Sequence, residues 1–104
     1  MKHGLKESYI QQIQSVFAEY PAIEKAILYG SRAKGNYREG SDIDLSLVGQ
    51  TLDFNLLIKI ENKLDDLLLP YNIDLSILHK IENPELIDHI ERVGVIFYEK
   101  TSLL

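Results

Sequence analysis

Along the chain the apolar residues change their period several times, and each change marks an element. Ile10, Ile13, Val16 and Phe17 recur at helical spacing and Pro21 follows, so the pattern predicts a helix over about 6–19. AIEKAILYG turns toward alternation and ends on Gly30, which predicts a strand over about 24–29. GSRAKGNYREGS, with glycines at 30, 35 and 40, reads as a loop or short helical turn. In DIDLSLVG the period is two: Ile43, Leu45 and Leu47 fall on one face, Asp42, Asp44 and Ser46 on the other. Asp53 is a suitable N-cap for a second helix, with Phe54, Leu57, Ile58, Glu61, Leu64, Leu67 and Leu68 largely on one stripe and Pro70 ending it. NIDLSIL then repeats the strand pattern, with Ile73, Leu75 and Ile77 opposite Asn72, Asp74 and Ser76. Asn83 before Pro84 is a cap and first-turn signature for a third helix that buries Leu86, Ile87 and Ile90, and GVIFYE closes the chain with a strand over about 94–99.

This alternation predicts a single α/β domain spanning 1–104, a small mixed sheet of about four strands covered by about three helices. Only eleven residues join Gly30 to Asp42, too few for a parallel crossover, so the flanking strands should pair antiparallel. A helix of about sixteen residues separates the two IDLS strands, the usual connection of a parallel βαβ unit. Their starts then share one edge of the sheet. Asp42, Asp44 and, with the register aligned, Asp74 share one face there, beside Gly30, Ser31 and Arg32.

Composition narrows what such a site can serve. A length of 104 residues, 45% hydrophobic and 26% charged, fits one packed core that buries roughly two thirds of the unfolded surface. The net charge of −5 argues against wrapping long nucleic acid, while local cations and amides can still hold a small phosphate ligand. There is no cysteine, hence no thiolate metal site, and no apolar run long enough for a membrane span, so a cytoplasmic location is expected.

Three carboxylates at one spot oppose each other's ionisation unless a cation joins them. Hard oxygen ligands completed by phosphates and water suit Mg²⁺, and two such ions stabilise the attacking and leaving oxygens of phosphoryl transfer. Gly30 permits close backbone approach, Ser31 offers a hydroxyl and an amide, and Arg32 brings a fork-shaped cation, all suited to a triphosphate. Either acidic strand alone is an ordinary half-exposed strand, and GSRAKG alone an ordinary turn. It is their combination at this spacing that carries the chemistry.

Leu28-Tyr29-Gly30-Ser31, ten residues, then Asp42-Ile43-Asp44-Leu45, with Asp74 in a later strand, resembles the signature of the DNA polymerase beta-like nucleotidyltransferase superfamily. GSRAKGN followed by GSDIDL resembles in particular the minimal nucleotidyltransferase (MNT) proteins, with Lys34 where many relatives carry arginine. The resemblance implies metal binding by Asp42, Asp44 and Asp74, with Asp74 also helping to deprotonate the acceptor hydroxyl. It implies β- and γ-phosphate contacts from Gly30 and Ser31, assisted by Arg32. MNT proteins typically act as antitoxins beside a HEPN-domain toxin, some by transferring AMP from ATP to a toxin tyrosine. That activity, dependent on Mg²⁺, is the expectation here, with a shallow cleft or a partner seating the acceptor. The alternatives are a catalytically weak nucleotide-binding antitoxin that acts by complex formation, and transfer to a small hydroxyl metabolite; a homodimer or hetero-oligomer is open.

His3, His79 and His89 lack ligand spacing and read as surface or helix-end residues. Tyr37 lies in the loop beside the expected site. The stripe Leu57, Leu64, Leu67 and Leu68 reads as core, with an interface following if part of it is exposed.

Overall fold

The computed structural model describes residues 1–101. Its elements are α1 (Glu7–Ala18), β1 (Lys25–Tyr29), α2 (Gly30–Lys34), β2 (Ile43–Val48), α3 (Phe54–Asp65), β3 (Ile73–Ile77), a 3₁₀ turn (Leu78–Lys80), α4 (Pro84–Val93) and β4 (Val95–Glu99). The four strands form one mixed sheet in the order β3-β2-β1-β4. β1 runs antiparallel to β2 and β4, and β2 runs parallel to β3. The short β1–β2 link and the long helical β2–β3 link thus produce the pairings their lengths require.

One face of the sheet is apolar and packs against α1 and α3. Ala26 and Leu28 of β1, Ile43, Leu45 and Leu47 of β2, Leu75 and Ile77 of β3 and Phe97 of β4 are buried together with Ile10, Ile13, Val16 and Phe17 of α1 and Leu57, Ile60 and Leu64 of α3. Cutting one of the buried leucines, isoleucines or phenylalanines among these back to alanine leaves a cavity and costs about 2–5 kcal/mol. The opposite face carries the acids and is covered only in part, by α4, which packs on β1 and α2.

The helix caps form as the sequence signals. The Asp53 carboxylate accepts from the Leu56 amide at 2.8 Å, and the Asn83 side chain accepts from the Glu85 amide at 2.9 Å. The stripe of α3 differs from expectation. Ile60, outside the expected set, is fully buried, whereas Phe54, Ile58 and Leu68 are largely exposed and Leu67 is half-buried. The helix ends at Asp65, and Leu68 takes a left-handed backbone (φ 54°) that turns its side chain into solvent, so the last turn of the expected stripe is not helical. In α4, Ile90 is buried and Leu86 and Ile87 are half-buried. Among the described residues, no helix is long and apolar enough to cross a membrane.

Candidate active site

The two IDLS strands pair residue for residue: Ile43 with Ile73, Asp44 with Asp74, Ser46 with Ser76. On its other side Asp44 is opposite Tyr29 in the β1–β2 register. Tyr29, Asp44 and Asp74 therefore stand abreast on one face of three adjacent strands, about 4.8 Å apart from strand to strand. Asp42 lies just before β2, two residues from Asp44, and is exposed. Beneath the acids the repeat continues as a hydroxyl pair, the Ser76 hydroxyl donating to that of Ser46 at 3.0 Å. Ser46 is wholly buried, so this bond satisfies a group that water cannot reach.

Burial pushes the Asp44 carboxyl above the usual carboxylate range, and the nearby Asp74 and Asp42 push it further, while the Arg32 guanidinium pulls it back. Burial likewise raises the Tyr29 phenol, with Asp74 and Asp44 adding to the rise and the Ser76 hydroxyl opposing it, so the ring stays neutral. The acids thus repel one another at close range, which a bound divalent cation would relieve. The donor set fits such an ion: hard carboxylate oxygens, two of them on paired strand positions, with open surface in front. Among the described residues no three His, Asp or Glu side chains form a ready-made cage, so an ion here would complete its shell with phosphate and water oxygens.

Gly30 begins α2 with a left-handed backbone (φ 74°), and a Cβ at this position would collide with the Asp44 carboxylate. Glycine is thus required twice over, by its conformation and by the approach of the acid. The Gly30 amide donates to His89 Nε2 at 3.1 Å, which requires the proton of the neutral ring on Nδ1. The His89 ring also meets the Tyr29 ring edge-on, centroids 6.1 Å apart. His89 is thus half-buried inside the site rather than free at a helix end. Sequence spacing gave no signal for it, because its partner is a backbone amide on a distant element. Ser31 follows at the same turn, half-buried.

Arg32 has a different employment from the one its chemistry suggests. It is 2% exposed. Its Nε and one terminal nitrogen donate to the Ser41 carbonyl at 3.0 and 2.7 Å, and the other donates to the His3 carbonyl at 3.0 Å. The rings of Tyr37 and Tyr71 flank the guanidinium at 5.3 and 4.8 Å. Gly4 (φ 74°) makes room for this packing, since a Cβ there would strike Tyr37 and Arg32. The side chain ties the N-terminal turn and the start of β2 to α2, fixing the loop that carries Ser31 and leads into Asp42. Lys34, in contrast, is exposed.

An α/β sheet that sets two paired acids beside a glycine-serine turn has the donor groups that phosphoryl transfer calls for. The sequence matches the family Polymerase beta, nucleotidyltransferase over residues 11–103, and the chain belongs to that family. A protein of Methanocaldococcus jannaschii named as a protein adenylyltransferase is 42% identical over 64 residues, a match that spans 62% of this chain and 58% of that protein. Among solved structures, a toxin-antitoxin complex with AMP-PNP contains a chain of the same fold with TM-score 0.69 and 24% identity, covering 92% of this chain and 75% of that one. The complex of a tri-AMPylated Shewanella oneidensis HEPN toxin with its MNT antitoxin matches with TM-score 0.67 at 19% identity, over 92% and 74% of the two chains. A Sulfolobus solfataricus structure described as a nucleotidyltransferase matches with TM-score 0.54 at 19% identity, over 93% and 92%.

Proposed function

We propose that this chain transfers AMP from ATP to a protein hydroxyl, a tyrosine of a HEPN-type toxin, and so acts as the antitoxin of the pair. The observation that carries the reading is the pairing of Asp44 with Asp74 against a glycine-serine turn whose glycine leaves no space between itself and Asp44. Family membership and the fold it shares with antitoxin chains support it.

Asp42, Asp44 and Asp74 would hold Mg²⁺, which when bound supplies charge neutralisation at the phosphates and lowers the barrier to displacement. Gly30 and Ser31 seat the β- and γ-phosphates. Asp74, exposed on the outer strand, takes the proton of the incoming hydroxyl; its oxygen bonds to the α-phosphorus and pyrophosphate departs. Arg32 acts by holding the loop: the side chain is buried and three of its five N–H groups donate to backbone carbonyls. The site lies open on the sheet face, which leaves the acceptor to be seated by the partner's own surface.

The test is incubation of the chain with α-labelled ATP, Mg²⁺ and the helical protein encoded beside it. Label should appear on the partner's tyrosine with the wild type and vanish with Asp44→Asn. An unlabelled partner that is nonetheless neutralised would favour inhibition by binding alone.

A further inference from the structure

The Gly30–Ser31 turn depends on a group from far along the chain. Glycine populates left-handed and right-handed backbone about equally, so the φ of 74° at Gly30 must be held by its surroundings. Asp44 fills the space on the Cα side and therefore limits where the turn can move. It does not fix the plane of the Tyr29–Gly30 peptide. That plane is set by the bond from the Gly30 amide to His89 Nε2. The imidazole is in turn held by the edge of Tyr29 and by α4, anchored through the Asn83 cap and the buried Ile90.

The geometry points to His89 as a positioning residue for nucleotide binding: it fixes the Gly30 peptide, and with it the Ser31 hydroxyl and amide, in the orientation that receives the triphosphate. This rests on the reading of the Gly30–Ser31 turn as the phosphate seat. Through His89, the helix that follows the last acid braces the loop that precedes the first two. The ring touches neither acceptor nor reacting phosphorus in this account, so its loss weakens the seating of ATP and leaves the chemical step nearly intact.

Three variants separate the acceptor from mere packing. His89→Ala removes both the acceptor and the ring; His89→Leu keeps bulk against Tyr29 without an acceptor; His89→Gln places an amide oxygen the same number of bonds from Cα as Nε2. The expected result is a KM for ATP raised about tenfold in His89→Ala and His89→Leu, the ratio one hydrogen bond of ordinary strength sustains, with kcat changed far less and KM largely recovered in His89→Gln. In parallel, hydrogen exchange of the Gly30 amide, read by ¹H–¹⁵N NMR without substrate, should accelerate at least about tenfold in the same two variants and slow again in His89→Gln. An unchanged KM in both acceptor-free variants, or Gly30 exchange as slow as in the wild type, overturns the inference. A wild type that transfers nothing would instead defeat the nucleotidyl-transfer reading, and the exchange measurement alone would then decide the role of His89.

Discussion

β2 and β3 carry the same four residues, IDLS, and the sheet treats them differently. β2 lies between β3 and β1, whereas β3 is an edge strand. Ile43 is fully buried where Ile73 is half-buried, Ser46 fully buried where Ser76 is half-buried, and Asp44 half-buried where Asp74 is exposed. Neighbours differ as well: Asp44 has Tyr29 opposite and Gly30 pressed against it, and Asp42 two residues before, while Asp74 has Asn72 in that place and no strand beyond. One local sequence thus produces a confined acid whose charge is held under strain and a free acid open to an incoming group. Position in the sheet, rather than the shared tetrapeptide, divides the labour.

The division makes the two aspartates unequal. Asp44→Asn should lower transfer about a thousandfold or more, the loss expected when a principal charge partner of the reacting phosphates is removed. Asp74→Asn should cost about a hundredfold, within the range of a lost general base. Single-turnover rates on the same preparation decide the matter; equal losses would break the distinction between the strands.

Gly30→Ala probes the confinement of Asp44 from the other side. The added methyl meets the carboxylate and must also adopt a left-handed backbone, a strain of about 1–2 kcal/mol. Transfer should fall about a hundredfold while circular dichroism shows a folded chain. Asp74, by contrast, is exposed.

Stability should move in the opposite direction from activity at Asp44 alone. In the folded chain its carboxyl keeps its proton to a higher pH than in the unfolded chain. The native state therefore binds more protons between those two values, and stability is lost as pH rises through that window. Above it the loss is complete. Asp44→Asn should accordingly melt a few degrees above the wild type at neutral pH, with the difference closing as pH falls below the ordinary aspartate range. Thermal melts at two pH values check both halves. Mg²⁺ should raise the wild-type melting temperature and leave Asp44→Asn nearly unmoved.

The smallest effect lies in the hydroxyl pair. Ser76→Ala should cost about 1 kcal/mol, because it leaves the wholly buried Ser46 hydroxyl without its partner, whereas Ser46→Ala should cost about half of that, since water reaches the stranded Ser76 hydroxyl on the outer strand. A double-mutant cycle in urea should recover a coupling of about 0.5–1 kcal/mol.

Much of this arrangement was legible in the sequence because strands write their faces with period two. The alternation of DIDLSLV and NIDLSI, with the lengths of the links, put both acidic strands side by side with their acids toward one face, and the register that sets Asp44 directly beside Asp74 came from the fold. Period 3.6 was less decisive in α3. Phe54 and Ile58 are four residues apart and look like one face, yet the core selects Leu57, Ile60 and Leu64, one row around the helix. Arg32 and His89 were illegible for another reason. Their partners are backbone groups, the carbonyls of His3 and Ser41 and the amide of Gly30, brought near only by the fold. A guanidinium beside a glycine-serine turn reads from sequence as free to meet a ligand, whereas the fold places those carbonyls around it.

The most direct test of the central claim is a ¹H–¹⁵N NMR titration of the chain with AMP-PNP and Mg²⁺. The largest shifts should fall on Gly30, Ser31, Asp42, Asp44 and Asp74, and Asp44→Asn should suppress them. Shifts centred on the groove of about 370 Å³ lined by Lys6, Arg38 and Tyr71, or no shifts at all, would contradict that claim.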